Sequence, residues 1–527
     1  MVSFKEGVYK MNNLKNSFYI TTPIYYINAD PHIGHSYTTI AADVLARYHR
    51  LLGRKVFFLT GTDEHGQKIE EAAKANGKSP KDFADEIVEK YKKLWLELDI
   101  SYDKFIRTTD EKHKKTVQKI IEILFEKGDI YKGKYEGLYC IPCETYFLET
   151  ELLDRNQKIC PDCGRELSIV SEDSYFFKLS KYQDVLLKYF DEHKDFLAPH
   201  FRAKEMINII KSGLKDLSIT RNSVSWGIKN PLDEKETIYV WFDALVNYIS
   251  AIDFLDFVED KKNIFIEIWP ADIHLVGKEI YKFHTLIWPA ILFGLGIDLP
   301  KKVFGHGWWT FEGEKMSKSK GNAIDPYKII NIFGKDVLRY FLLREVPFGV
   351  DGDFSMASLI DKYNGELANE IGNLFSRTLN MIEKYCNKIV PDITLENNIL
   401  FEKANEVIKE YSYSMEQIDI MKALIKTLEL VKMSNKYIED EAPWKLVKVE
   451  SIENKLKLEK VLFNCLATMR VIAILLNPFM PTSTEKMLKQ LGISELNFNE
   501  NLVRWEDMPK NYRIGEIDII FPRYENI

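Results

Sequence analysis

The N-terminal part of this chain has the strand–helix–strand pattern from which parallel α/β sheets are built. Residues 17–22 form a short β-type run that ends at Pro23, and residues 56–60 form a second run. Between them, apolar residues recur at the spacing of one helix face: Ile40, Val44, Leu45, Tyr48 and Leu52. This beginning predicts an α/β protein with a parallel sheet.

The α/β pattern is interrupted in the middle of the chain and then returns. Helical periodicity covers residues 80–98 and 111–127, whereas residues 130–177 are expected to form short strands and turns. Strand-like segments follow at 238–241, 264–269 and 303–305, with a helix around 274–295. From about residue 355 onward, long amphipathic helices predict a helical bundle.

Length and charge limit the function classes. The 527 residues suffice for three to four domains of about 150 residues each. The net charge of −7 argues against a protein that coats nucleic acid, but it leaves room for a local basic patch. No apolar run approaches the ~20 residues that cross a bilayer. We expect a cytoplasmic protein, although the lysines of the N-terminus leave an organellar presequence open: Lys5, Lys10 and Lys15.

The first chemical motif is Pro31-His32-Ile33-Gly34-His35, between the first strand and the first helix. A helix N-terminus at a strand end is where α/β folds bind phosphates. Gly34 would let a flat purine approach the backbone, and the two imidazoles could donate to a phosphate that is being transferred. A chance pair or a partial metal site is the alternative.

The second motif is a lysine-rich loop, residues 315–322, with the sequence Lys-Met-Ser-Lys-Ser-Lys-Gly-Asn. Lysines suit phosphate oxygens, and the small polar residues allow the loop to close on a triphosphate and open again. Considered alone, it could be an ordinary solvated basic loop.

Together, the two motifs resemble the signatures of class I aminoacyl-tRNA synthetases, in the order that this class has. The resemblance implies a Rossmann-type parallel-sheet catalytic domain, ATP with Mg²⁺ as substrate, and four catalytic residues: His32, His35, Lys315 and Lys318. The residues implied in ATP binding are His32, Gly34, His35, Lys315, Met316, Ser317, Lys318 and Ser319.

Further segments are similar to the methionyl-tRNA synthetase family over nearly the whole chain. They are residues 21–28, 60–66, 239–244 and 280–284. The insertion is also too short for the editing domain of the relatives that charge leucine, isoleucine or valine. The resemblance implies L-methionine and tRNA(Met) as the other substrates. It places Ile24, Trp241, Ala244, Tyr248 and Ile280 around the methionine side chain, Tyr26 and His284 near the sulfur, and Asp63 against the ammonium.

This set suits a thioether, which has no charge and accepts hydrogen bonds only weakly, so recognition rests on shape and aromatic contact. Without the resemblance, Trp241 and Ile280 would be interpreted as core residues. Arg221 matches a family arginine near the active site, with a surface role as the alternative. An enzyme for another amino acid and a non-catalytic RNA-binding relative also stay open as functions.

Four cysteines form two Cys-x-x-Cys pairs: Cys140, Cys143, Cys160 and Cys163. Four thiolates predict one closed, tetrahedral and therefore structural zinc site, with a redox pair as the less favoured alternative. Cys386 and Cys465 lie in helical stretches and are expected in the core.

The resemblance also implies anticodon contacts by Asn373, Arg377 and Trp444, although Trp444 could instead pack inward. It further implies six segments, which are an N-terminal extension (1–16), the first half of the catalytic domain (17–115), a connective insertion with the zinc knuckle (116–237), the second half (238–325), a stem-contact connecting fold (326–362) and the helical anticodon-binding domain (363–527). A monomer without membrane contact is the simplest expectation.

Overall fold

The computed structural model describes residues 17–140, 145–147, 158–161, 164–311, 314–315, 324–393, 397–493 and 503–525, so the expected extension 1–16 lies outside it. The chain forms two compact units. Unit 1 comprises Met1–Pro31, Val56–Leu96 and Tyr102–His306, and unit 2 comprises His32–Lys55, Glu97–Ser101 and Gly307–Ile527. Over the ranges given above, no helix has the length and apolar character needed to span a membrane.

The strands are numbered along the chain. They are β1 (Ser17–Tyr26), β2 (Lys55–Asp63), β3 (Lys104–Arg107), β4 (Ile130–Cys140), β5 (Thr145–Phe147), β6 (Ser168–Phe177), β7 (Leu197–Ala198), β8 (Leu217–Ser218), β9 (Thr220–Arg221), β10 (Lys229–Asn230), β11 (Asp233–Ile238), β12 (Ile273–Gly277), β13 (Val303–His306), β14 (Trp309–Phe311), β15 (Glu314–Lys315) and β16 (Gly352–Phe354).

The α-helices are numbered in the same way. They are α1 (Ile33–Leu51), α2 (Gln67–Ala75), α3 (Pro80–Glu97), α4 (Glu111–Glu126), α5 (Gln183–Glu192), α6 (His200–Lys211), α7 (Val240–Leu245), α8 (Asn247–Ser250), α9 (Phe254–Val258), α10 (Phe265–Ile268), α11 (Trp288–Leu295), α12 (Pro326–Phe333), α13 (Lys335–Arg344), α14 (Met356–Lys362), α15 (Asn373–Cys386), α16 (Ile399–Glu416), α17 (Ile420–Glu441), α18 (Pro443–Leu446), α19 (Ile452–Leu476) and α20 (Pro481–Gln490). Short 3₁₀ turns cover Leu179–Tyr182 and Trp505–Asp507, and π-helical segments cover Phe283–Ile287 and Tyr363–Gly372.

A six-stranded sheet in the order β3–β2–β1–β12–β13–β7 forms the centre of unit 1. The pairs β2–β3, β1–β12, β12–β13 and β13–β7 are parallel, as the strand–helix–strand pattern predicts. The strand order reverses beside β1, and ligands of open α/β sheets bind at such a reversal, beyond the carboxyl ends of the strands. Gly61 is required in β2, since a Cβ there would lie 2.0 Å from the carbonyl oxygen of Ile106 in β3.

Two of the predicted strand segments, 238–241 and 264–269, are wrong. The run 238–241 holds only the last residue of β11, Ile238, and then enters helix α7. The run 264–269 is not a strand but contains helix α10, and the strand of the central sheet is β12, at the start of the helix predicted over 274–295. All five residues of β12 are buried between β1 and β13. A strand covered on both faces has no alternation, so periodicity does not separate it from a buried helix.

The middle of unit 1 carries two smaller sheets, β5–β4–β6–β8 and β10–β11–β9. Strands β4 and β6 are longer than the short strands predicted over 130–177. They pair antiparallel from Ile130 opposite Phe177 to Tyr139 opposite Ser168. Cross-strand contacts along this length outweigh the local turn signals.

Unit 2 is mainly helical, as predicted from residue 355 onward. Helix α16 packs on α17, α17 on α19, and α19 on α20. The predicted apolar stripe of the π segment and α15 is buried: Leu367, Ile371, Leu374, Phe375 and Leu379. A small sheet in the order β15–β14–β16 also belongs to this unit.

A buried arginine links helix α1 to the rest of unit 2. The Arg339 guanidinium is fully buried and donates to the Asp43 carboxylate at 2.7 Å. It also donates to the carbonyl oxygens of Leu98, Pro478 and Phe479 at 3.0, 2.8 and 2.9 Å. This network fixes α1, which carries His35 and follows His32, against α13 and the segment before α20.

Candidate active site

The carboxyl ends of β1 and β2 in unit 1 carry three of the predicted methionine-binding residues. Ile24 and Tyr26 lie at the end of β1, and Asp63 is the last residue of β2. The backbone N–H of Ile27 donates to the carbonyl oxygen of Asp63 at 3.4 Å, which joins the two strand ends. Asp63 is buried, so its carboxylate is suited to pair with a cation from a ligand.

Helices α7 and α8 supply the apolar part of the same predicted set. Trp241 and Ala244 belong to α7, and Tyr248 belongs to α8. The Trp241 ring stacks on Phe283 with centroids 3.9 Å apart and an interplanar angle of 11°. Trp241 is half-buried, as are Ile24 and Ile280, and all three pack against the core cluster that contains Tyr248. Trp241 is thus not a fully buried core residue.

His284 is held in one tautomer by its two neighbours. Its Nδ1 lies 2.9 Å from the carbonyl oxygen of Ile280, which can only accept, so Nδ1 carries the proton. Nε2 then accepts from the Tyr248 hydroxyl at 2.7 Å. Burial lowers the pKa of His284 to about 4, which keeps the ring neutral at pH 7. His284 therefore orients Tyr248, and both of its ring nitrogens are engaged within the protein.

The two histidines of the first motif cap helix α1 in unit 2. His32 is the N-cap residue, and its Nδ1 accepts from the backbone N–H of Gly34 at 3.1 Å. The Nδ1 of His35 accepts from the backbone N–H of His32 at 3.1 Å, and the two rings lie 4.0 Å apart. Because Nδ1 is an acceptor in both neutral rings, the proton of each ring is on Nε2.

The cap gives a second reason for glycine at position 34, beside the predicted approach of a purine to the backbone. A Cβ at this position would lie 2.9 Å from Cε1 of His32, so a side chain would displace the capping ring. The first turn of α1 contains no acidic residue, and its helix dipole favours an anion.

The lysine-rich loop is described only at its start. Lys315 ends β15, which pairs antiparallel with β14. Met316, Ser317, Lys318 and Ser319 lie outside the described residues.

Two of the four predicted zinc ligands are described. Cys140 ends β4, and the carbonyl oxygen of Cys160 accepts from the N–H of Gly164 at 2.8 Å. Both cysteines are buried in one small cluster with Leu138 and Leu167. Cys143 and Cys163 lie outside the described residues. Among those that are described, no three His, Cys, Asp or Glu side chains are grouped as metal ligands.

Two of the three predicted anticodon residues meet in unit 2. The Arg377 guanidinium lies 5.8 Å from the centroid of the Trp444 ring, and Trp444 is exposed rather than packed inward. Asn373, the first residue of α15, is exposed as well. The remaining cysteines differ, since Cys465 is buried in the core and Cys386 is only half-buried.

Three buried polar residues of unit 1 were missed by the sequence analysis: His65, His113 and Asp243. His65 and Asp243 fall in segments that resemble the family, but no role was assigned to them. His113 lies on the buried face of α4, together with Thr116, Val117, Ile120, Ile121, Ile123 and Leu124. A histidine among apolar residues of a helix needs a buried polar partner, and this was the sequence signal that could have identified it.

Two family models together match most of the chain. The model of the family described as "tRNA synthetases class I (M)" matches residues 18–169 and 157–379. The model of the "Anticodon binding domain of methionyl tRNA ligase" matches residues 391–523. The split parallel sheet, the capping histidines and these matches define a class I aminoacyl-tRNA synthetase.

Individual relatives agree with this class. A methionine–tRNA ligase of Caldanaerobacter subterraneus is 51% identical over 520 residues, which cover 97% of this chain and 80% of the relative. The ligase of Thermotoga maritima is 48% identical over 492 residues, covering 93% and 77%. The structure of Mycobacterium tuberculosis methionyl-tRNA synthetase in complex with methionyl-adenylate has a TM-score of 0.92 and 37% identity, covering 96% of this chain and all of that one. This chain belongs to the methionyl-tRNA synthetase family.

Proposed function

We infer that the protein activates L-methionine with ATP to methionyl-adenylate, releasing pyrophosphate, and transfers the methionyl group to the 3′ end of tRNA(Met). The similarity to methionine–tRNA ligases over nearly the whole chain carries this inference. Its product serves translation initiation and elongation.

In the first step, the methionine carboxylate attacks the α-phosphorus of ATP and pyrophosphate leaves. No protein nucleophile is required, so catalysis consists of positioning and charge stabilisation. His32 and His35 suit this role, since each ring has its proton on Nε2 and both sit at a helix N-terminus. Lys315 and Lys318 are proposed to neutralise the phosphates of the Mg²⁺–ATP substrate.

For the amino acid, Asp63 is proposed to pair with the ammonium group. Ile24, Trp241, Ala244 and Ile280 are proposed to surround the side chain by shape. The hydrogen-bond arrangement of His284 supports an indirect role for this residue, because it holds Tyr248 in place and has no further proton for the sulfur. The Tyr26 hydroxyl is the remaining candidate donor.

In the second step, a hydroxyl of the terminal ribose attacks the adenylate carbonyl and AMP leaves. The anticodon end of the tRNA is proposed to contact Asn373, Arg377 and Trp444. An exposed tryptophan can stack an unpaired base, and the adjacent guanidinium can contact phosphate or a base edge. We propose that the protein is a monomer and is located in the cytoplasm.

We also propose one structural zinc ion on Cys140, Cys143, Cys160 and Cys163. The hydrogen bond from the N–H of Gly164 to the carbonyl oxygen of Cys160 and the shared burial of Cys140 and Cys160 support a zinc knuckle. When bound, the zinc would hold the two Cys-x-x-Cys segments together. Mass spectrometry of the native protein should find one zinc per chain, and Cys160→Ser should lose it. Cys386→Ser is the matched control, and zinc retained by Cys160→Ser would contradict the assignment.

The central test is ATP–pyrophosphate exchange with each of the standard amino acids. Methionine should support exchange far above the others. Lys318→Ala should reduce the rate by orders of magnitude without changing the melting temperature, whereas Lys328→Ala, an exposed lysine of α12, should not. No exchange with any amino acid would favour a non-catalytic RNA-binding relative. Exchange with another amino acid would identify a different enzyme of the class.

A further inference from the structure

A buried hydrogen-bond network in unit 1 joins three segments that are distant in sequence. The Oδ2 atom of Asp243 accepts from Nδ1 of His65 at 2.6 Å, and its Oδ1 accepts from Nε2 of His113 at 2.7 Å. On the other side of its ring, Nδ1 of His113 lies 2.7 Å from the Ser250 hydroxyl. Asp243, His65 and His113 are 0%, 4% and 1% exposed, so the network is shielded from water.

The carboxylate of this network is charged. Burial alone would raise the pKa of Asp243, but the two imidazoles lower it below its usual value. A buried carboxylate is stable only if its oxygens are paired, and here each oxygen receives one imidazole N–H. Because both oxygens are engaged, Asp243 acts on the neighbouring elements and not on a ligand.

The elements that it joins are those of the proposed methionine site. His65 is two residues beyond Asp63, which is proposed to bind the ammonium. Asp243 lies in α7 between Trp241 and Ala244, which are proposed to contact the side chain. Ser250 ends α8, which also carries Tyr248.

The loop that carries His65 is also held from its other side. The Nε1–H of Trp226 donates to the carbonyl oxygen of Glu64 at 2.6 Å, and the N–H of Gly66 donates to the carbonyl oxygen of Trp226 at 3.0 Å. The carboxylate of Glu64 in turn accepts two bonds from Arg107, at 2.6 and 2.8 Å. With the backbone fixed in this way, the ring of His65 is the link from this loop to α7.

We propose that His65, Asp243 and His113 are positioning residues that set the separation between the ammonium-binding and side-chain-binding halves of the methionine site. The proposal rests on the proposed function of this site. Loss of the His65 bond loosens α7 against the end of β2, and loss of the His113 bond loosens α7 against α4. In either case methionine binds more weakly while ATP binding is retained.

The nitrogen used by each histidine provides the test. His65 donates through Nδ1, which the amide of asparagine mimics, and His113 donates through Nε2, which the amide of glutamine mimics. His65→Asn and His113→Gln should therefore keep the methionine KM in pyrophosphate exchange within a few fold of wild type. The exchanged pair, His65→Gln and His113→Asn, should raise the methionine KM about 10- to 150-fold, the range for a lost hydrogen bond to a charged group. The ATP KM should change less than twofold.

Asp129→Asn is the control for a general effect of buried charge. Asp129 is a buried carboxylate of unit 1 that bonds Lys181 and none of the proposed methionine residues, so this variant should melt at a lower temperature with an unchanged methionine KM.

A methionine KM that is insensitive to all four histidine variants would overturn the positioning role while leaving the proposed function intact. So would a KM that does not depend on which nitrogen the replacement mimics. Calorimetric titration with methionine provides a readout without turnover. A wild-type protein that binds no methionine would overturn both the positioning role and the proposed function.

Discussion

Replacing Arg339 tests the packing that holds helix α1 in unit 2. Arg339 donates four hydrogen bonds in a fully buried position, one to the Asp43 carboxylate and three to backbone carbonyl oxygens. Breaking a buried ion pair by removing one partner costs about 3–5 kcal/mol, because the other partner stays buried with less compensation. In the variant Asp43 keeps Arg47 and Ser101 as hydrogen-bond partners, which limits the loss in the free energy of unfolding.

The expected result is a large decrease in the melting temperature of Arg339→Ala. Since 1 kcal/mol shifts the melting temperature by about 2–4 °C in a domain of 150–250 residues, the decrease should be about 6–20 °C. Differential scanning calorimetry is the suitable assay, because a chain of two units need not melt in one transition. The transition that shifts is expected to be that of unit 2.

Arg54→Ala is the matched control. Arg54 is an arginine of the same unit whose pair with Glu416 is long, at 3.5 Å, and solvent-exposed, so its loss should cost less than about 1 kcal/mol. A decrease for Arg339→Ala no larger than that for Arg54→Ala would refute the argument from buried charge.

The Arg339 effect should also depend on pH. Burial alone would raise the pKa of Asp43, but Arg339 and Arg47 hold it below its usual value. A lowered carboxyl pKa contributes stability above the unfolded value, about 3.9, and this contribution is lost as pH falls through the folded value. The difference between wild type and Arg339→Ala should therefore shrink in strong acid.

Two further predictions concern the proposed substrate sites. Burial lowers the pKa of His284 from 6.5 to about 4, so the unfolded chain takes up a proton before the folded one, and about 3 kcal/mol of stability should be lost as pH falls from 6.5 to 4. His284→Asn should lack this loss in melting curves recorded against pH, and parallel profiles for the two proteins would contradict the buried neutral imidazole. Trp444→Ala should lower kcat/KM for tRNA charging about 5- to 150-fold, as expected for the loss of 1–3 kcal/mol of base stacking, and should leave pyrophosphate exchange unchanged. Equal loss in both assays would show that Trp444 does not act through tRNA.

The main parts of the fold could be predicted because their signals are local. The strand–helix–strand pattern placed β1, α1 and β2, and the amphipathic stripes placed the bundle helices. The capping role of His32 was not predicted, since it depends on which ring nitrogen faces the backbone of Gly34. Sequence spacing identifies the residue type at a helix start but not the tautomer.

The parts that were not predicted depend on tertiary contacts. The sequence of strand β12 has the pattern of a buried helix because the strand is buried on both faces. Its neighbours β1 and β13 come from distant parts of the chain, so local sequence does not identify the pairing. His113 reads as a core position of α4, and only the fold brings it to Asp243.

The product of the first chemical step shows which amino acid the protein activates. The protein is incubated with ATP, Mg²⁺ and an equimolar mixture of the standard amino acids, without tRNA, and the bound aminoacyl-adenylate is identified by mass spectrometry. We expect methionyl-adenylate as the dominant product. Another aminoacyl-adenylate, or none from a folded protein, would contradict the proposed function.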